Sequence, residues 1–282
     1  PFIPGDPDNS SLPVGGLEYV LENTSTKPQE MIFSYHARNF LSWGKGVDAI
    51  KVMPHGFVLS QAGTEAEPHL QGDFAIFTDE DSPKINYCWF RGGWFDSLTM
   101  VWNAIESGLM PQSPAVEKGA PGASIFIPVT LMPGDKKTIR IYTAWYVPCS
   151  TLRIGEEPED WNDNNVAPAT LALERADQGN YKPWYSSRFA GIDEVIDYLL
   201  THYKTLREQT EKFTESFYRS TLPSEVIEAV SANLSILKSP TVMRQYDGRL
   251  WTWEGCADNW GSCHGSCTHV WNYAQAIPHL FP

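Results

Sequence analysis

Residues 247–282, "DGRLWTWEGCADNWGSCHGSCTHVWNYAQAIPHLFP", hold the residue types of this chain best suited to chemistry. Glu254 stands alone there, between Trp253 and Gly255. An indole on one side can wall a pocket, and a glycine on the other lets a ligand come close to the backbone. Ionised, such a carboxylate can form half of a two-carboxylate site. By spacing alone, a carboxylate at a helix start or in a loop is the simpler account.

The cysteines and histidines around it admit two uses. Cys256, Cys263, His264, Cys267 and His269 are all possible zinc ligands. Their spacing fits no zinc signature, and Gly261 and Gly265 favour a loop over the helix that would put Cys263 and Cys267 one turn apart. No metal or other cofactor is therefore expected. An imidazole offers a donor and an acceptor together, so His264 and His269 are better suited to the hydroxyl groups of a ligand, and Asp258 can reach the same groups. Trp271 and Tyr273 read as helix core.

The rest of the chain bounds what that site can serve. Its 282 residues are enough for one large domain or two ordinary ones, and 42% of them are hydrophobic. A formal charge of -13 argues against nucleic acid or an anionic membrane surface as partner. Eleven Trp, twelve Tyr and thirteen Phe suit a core, and they also suit the faces of sugar rings. No apolar run is long enough for a membrane span, and no membrane anchor is seen. The opening "PFIPGDPDNSS" is no signal peptide, and the chain reads as cut at both ends. Five cysteines make no disulfide framework, so a reducing, cytoplasmic setting is expected. The sequons at Asn9, Asn23 and Asn233 arise by chance.

Two periods divide the chain. Over residues 1–150 the pattern is β. "SIFIPVTLMPGDKKTIRIYTAWYV" reads as a hairpin turning at Pro133–Asp135, with Ile139, Ile141, Thr143 and Trp145 on one face. "LEYVLENTSTKPQEMIFSYHARNF" repeats that theme around an Asn-Thr-Ser turn. "WFDSLTMVWNAIESG" is a helical insertion stopped at Gly108, and the aromatic run "NYCWFRGGWFDSLTMVW" reads as packing surface. Residues 151–190 form an acidic linker. From 191 to 282 the period is helical. Ile192, Val195, Ile196, Leu199, Leu200, Tyr203 and Leu206 fall at steps of three and four, as do Val226, Ile227, Val230, Leu234 and Leu237, which predicts two paired antiparallel helices.

"PGASIFIPVTLMPGDKKTIRIYTAWYVP", "SPTVMRQYDGRLWTWEG" and "GSCHGSCTHVWNYAQAIPHLFP" together resemble glycoside hydrolase family 116, the family of non-lysosomal, bile-acid-type glucosylceramidases and microbial β-glucosidases. The resemblance implies an antiparallel β-sandwich followed by the first helices of an (α/α)6 barrel, and a retaining mechanism with two carboxylates. It places Glu254 as the nucleophile and His269 at a position that contacts sugar hydroxyls; Trp253, Asp258 and His264, read from their own chemistry, are the other candidates for binding the substrate, a β-glycoside or a glycolipid. It puts the acid/base carboxylate beyond residue 282, so that the chain alone would be inactive. Glucosylceramidase-type members carry an Asp where this chain has His269, next to a small insertion holding Cys263 and Cys267. That departure invites a second possibility, a non-catalytic carbohydrate-binding or scaffolding protein on the same fold.

Overall fold

A computed structural model of the protein describes residues 1–42, 48–152, 181–255 and 276–281. Two compact units divide it, one of residues 14–64 and 70–146, the other of residues 1–13, 65–69 and those from 147 onward.

The first unit is built on two antiparallel sheets. Strands β1 (Val14–Glu22), β8 (Lys136–Tyr146), β5 (Gly72–Thr78), β4 (Gly56–Gln61) and β3 (Asp48–Met53) form a five-stranded sheet in that order. Strands β2 (Gln29–Arg38), β7 (Gly122–Leu131) and β6 (Lys84–Asn86) form a three-stranded one. Alternation decides which face of each is apolar. Ile50, Phe57, Leu59, Ile76, Ile139 and Ile141 of the larger sheet share one buried cluster with Ile125, Ile127, Val129 and Leu131 of β7. At about 1.5–3 kcal/mol for each large apolar side chain buried, this shared cluster holds the sandwich together. Strand β4 is buried along its whole length, and so behaves as a central strand rather than an edge.

Neither expected hairpin forms. β7 pairs with β2 and β6, and β8 pairs with β1 and β5, so Met132–Asp135 carries the chain from one sheet to the other. Residues 23–28 make the same crossing between β1 and β2. Strict alternation is identical in a hairpin and in such an arch, because it records only which side faces the core. The two arches are tied together by Asn23, which is only 3% exposed. Its amide nitrogen donates to Leu131 O (2.9 Å) and Lys27 O (2.8 Å), and its side-chain oxygen accepts from Ser25 N and Ser25 Oγ. Its backbone N–H donates to Asp135 O, and its carbonyl accepts from Gly134 N. Gly134 sits at φ +83°, in the left-handed region that glycine tolerates best. With its side-chain nitrogen committed, Asn23 is no acceptor for a glycan in the folded protein.

The helical insertion is present as α2 (Ser97–Glu106), after a short α1 (Pro7–Ser10) in the other unit. Asp96 caps it by accepting from Thr99 N at 2.8 Å, and Gly108, at φ +65°, ends it with its N–H on Ile105 O.

The second unit is helical with one small hairpin. It contains α3 (Tyr185–Arg188), α4 (Ile192–Tyr218), α5 (Ser224–Ile236), strands β9 (Val242–Arg244) and β10 (Leu250–Thr252), and α6 (Ile277–Leu280). Of the apolar face read for α4, Ile192, Val195, Ile196, Leu199 and Leu206 are buried, while Leu200 is 51% exposed. Residues 1–13 pack here. Phe2 packs its ring on Phe213 at 5.4 Å, and Tyr198 donates to Asn9 Oδ1 at 2.8 Å. The second expected helix forms, but no residue of α5 is buried, and Val226 and Val230 are exposed. Its apolar stripe therefore does not make the tight antiparallel packing predicted for it. No helix among the described residues is long and apolar enough to cross a membrane.

Candidate functional site

Glu254 follows a short hairpin whose local sequence dictates its shape. Asp247-Gly248 between two apolar runs is a tight-turn signal, and Gly248 adopts φ +91°. Gln245 N donates to Arg249 O at 2.7 Å, and Arg249 pairs with the Asp247 carboxylate at 2.6 Å, which holds that carboxyl below its ordinary range. β9 and β10 then pair antiparallel, with Trp251 opposite Met243 and Thr252 opposite Val242. Trp253 N donates to Thr241 O at 2.9 Å and carries the pairing one step further.

Aromatic and cationic side chains fix this hairpin inside its unit. Trp251 and Trp253 are both buried, their rings meeting edge to face at 5.9 Å, and Tyr181 packs against Trp251 at 5.8 Å. The Arg244 guanidinium lies 4.3 Å over the Trp184 ring, while its Nη1 is 2.8 Å from Asp8 Oδ1 and also donates to Pro7 O. Trp184 N donates to Arg244 O at 2.9 Å, and the Tyr181 hydroxyl donates to the same carbonyl at 3.2 Å. Burial, with a smaller contribution from nearby Tyr185, pushes the Tyr181 hydroxyl far up, so it remains a donor at every physiological pH. The segment 181–184 and the residues of α1 thus clamp β9 from two sides.

Trp253 is only 1% exposed, with its ring edge to face on Trp251 and its backbone N–H on Thr241 O, so the ring packs in the interior and lines neither groove formed by described residues. Glu254 is exposed. Asp258, His264 and His269 lie outside the described residues, as do Cys256, Cys263, Cys267, Trp271 and Tyr273. Two grooves of about 520 and 530 Å³ are formed by described residues, and Glu254 lines neither. No set of three or more metal-ligating side chains gathers among the described residues. Residues missed by sequence reasoning are those that position the hairpin: Asp8, Tyr181, Trp184 and Arg244. Only the Asp-Gly turn announced the hairpin, and nothing local links residue 8 to residue 244.

A sheet pair packed on a common core, followed by helices and a tryptophan-anchored hairpin bearing a carboxylate, is a plan compatible with carbohydrate-active enzymes. The family model described as beta-glucosidase 2, glycosyl-hydrolase family 116 N-term, matches residues 1–206, and the chain belongs to that glycoside hydrolase family. The matched stretch ends before Glu254. No curated protein matches the chain. Among solved structures, one described as a putative kojibiose phosphorylase from human microbiome aligns at 12% identity and a TM-score of 0.31, over 76% of this chain and 20% of that one. A likeness that low bears neither on fold nor on activity.

Proposed function

We propose that this chain is part of a retaining β-glycosidase in which Glu254 forms the covalent glycosyl-enzyme bond. Membership of glycosyl-hydrolase family 116 over residues 1–206 is the observation that carries it. Retaining hydrolysis needs an ionised carboxylate on the face of the sugar opposite the leaving group, about 5–5.5 Å from a protonated partner carboxyl. Glu254 suits the first role, since its side chain is exposed for attack while Trp253 beside it is rigidly buried. The partner carboxyl belongs to a segment outside this sequence, and the chain alone turns over no glycoside. Helices from residue 191 onward begin an (α/α)6 barrel, residues 14–64 and 70–146 supply the sandwich, and 151–180 link the two. Asp258, His264 and His269 hold sugar hydroxyls, and the substrate is a β-glucoside or a glycolipid bearing one.

The test uses a protein in which this chain is continuous with its barrel. Glu254→Gln should lower turnover of an activated aryl β-glucoside on the order of 10⁴-fold or more, as removal of a covalent nucleophile does. A slow 2-fluoro-β-glucoside should leave its sugar on the peptide containing Glu254, read by mass spectrometry. A label on any other carboxylate would reassign the nucleophile, and near-normal turnover in the variant would refute it.

A further inference from the structure

The outer face of the three-stranded sheet carries a graded groove that the glycosidase proposal does not use. Register sets its order: Glu30 lies opposite Thr130, Ile32 opposite Pro128, Ser34 opposite Phe126, and His36 opposite Ser124. These cross-strand rows run from an acidic end, through an apolar middle, to a hydroxyl and imidazole end. Four residues of strand, about 13 Å, separate Glu30 from Ser34. Ile105 and Leu109, at the end of α2, raise one wall, and the groove encloses about 520 Å³, within the range of small-molecule sites. Glu30 is the one charged residue in the lining, and it makes no ion pair among the described residues.

The hydroxyl end is directional. The Trp89 indole can only donate, and it donates to Ser124 Oγ at 2.8 Å. Ser124 is fully buried, and its own hydrogen has one acceptor among the described residues, His36 Nδ1 at 2.8 Å. His36 therefore carries its proton on Nε2 and donates to Ser34 Oγ at 2.9 Å. No described acceptor is left for the Ser34 hydrogen, and Ser34 lines the groove. The chain of donors, Trp89 to Ser124 to His36 to Ser34, ends on a hydroxyl facing the groove and polarised by each bond behind it. This direction also rules out a nucleophilic Ser34, since the imidazole donates to it and cannot take its proton.

We propose that this groove binds an elongated small molecule with an accepting oxygen at one end, an apolar middle, and a cationic or hydroxyl donor at the other. The accepting oxygen, an amide carbonyl for instance, meets Ser34; the aliphatic middle lies over Ile32, Phe126 and Pro128; the donor meets Glu30. An anion at that end is repelled. The site is independent of Glu254.

The experiment is a titration of the isotopically labelled 282-residue chain with two probes of equal length, N-(6-aminohexyl)acetamide and 6-acetamidohexanoate, followed by backbone amide shifts. The amine should give saturable shifts at Ile32, Ser34 and Leu109, and the carboxylate should bind about tenfold or more weakly. Ser34→Ala should weaken the amine about tenfold with the near-UV spectrum of the fold unchanged, and Glu30→Gln should erase the preference between the probes. Absence of saturable shifts at these residues with the amine would overturn the proposal. So would binding that neither substitution alters.

Discussion

His36 is held in its neutral form twice over. Burial lowers its pKa below the ordinary 6.5, and a second ring proton would leave the Ser124 hydrogen without an acceptor. Above pH 6.5 the folded and unfolded forms are both neutral, and the full stability is present. As pH falls below 6.5 the unfolded chain takes up the proton first, so stability is lost until the folded imidazole titrates as well. The urea midpoint should therefore drop between pH 7.5 and pH 5.5, and by less in His36→Gln. An identical drop in the variant would show that other groups dominate. At Glu254 the same scale shows a division of labour, with Trp253 giving up all its exposure to hold a backbone position while its neighbour keeps its own.

At the scale of elements, the two arches and the small hairpin each depend on one side chain. Asn23→Ala removes the donor that serves Leu131 O and Lys27 O and the acceptor that serves Ser25, leaving buried groups unpaired. It should cost about 2–3 kcal/mol in equilibrium unfolding, whereas Ser25→Ala should cost less than about 1 kcal/mol. Arg244→Lys keeps the charge opposite Asp8 but loses the planar stack on Trp184. A loss of about 1 kcal/mol is expected, with a changed near-UV signal from the Trp251–Trp253 pair. These dependences also mark how far the sequence could be read. Side-chain alternation made Ile139 and Ile141 recognisable as core, and the spacing of Ile192, Val195, Ile196 and Leu199 made α4 recognisable, because both signals are local. Which strand β7 would pair with is not local, and the hairpin expected at Pro133–Asp135 proved to be a crossing. At the candidate site, Trp253 and Glu254 draw attention by their types alone, while Arg244, Trp184 and Asp8 matter only through the fold.

For the molecule as a whole, chain order and spatial grouping part company at the N-terminus. Residues 1–13 precede the first strand yet belong to the helical unit, through Phe2 on Phe213, Asn9 on Tyr198, and Asp8 on Arg244 and Arg188. Removing residues 1–11 should raise amide exchange in α4 and β9–β10 while β7 and β8 keep their protection. Equal loss in all four elements would show that the segment supports both units. The pairing of β1 with β8 carries a separate cost during synthesis. Val14 finds Ala144, and Glu22 finds Lys136, only after every intervening strand has left the ribosome. Until then the first strand waits with its edge unmatched, so folding of this sandwich is slow and non-local, and the nascent chain is most open to chaperones and to aggregation just before β8 emerges.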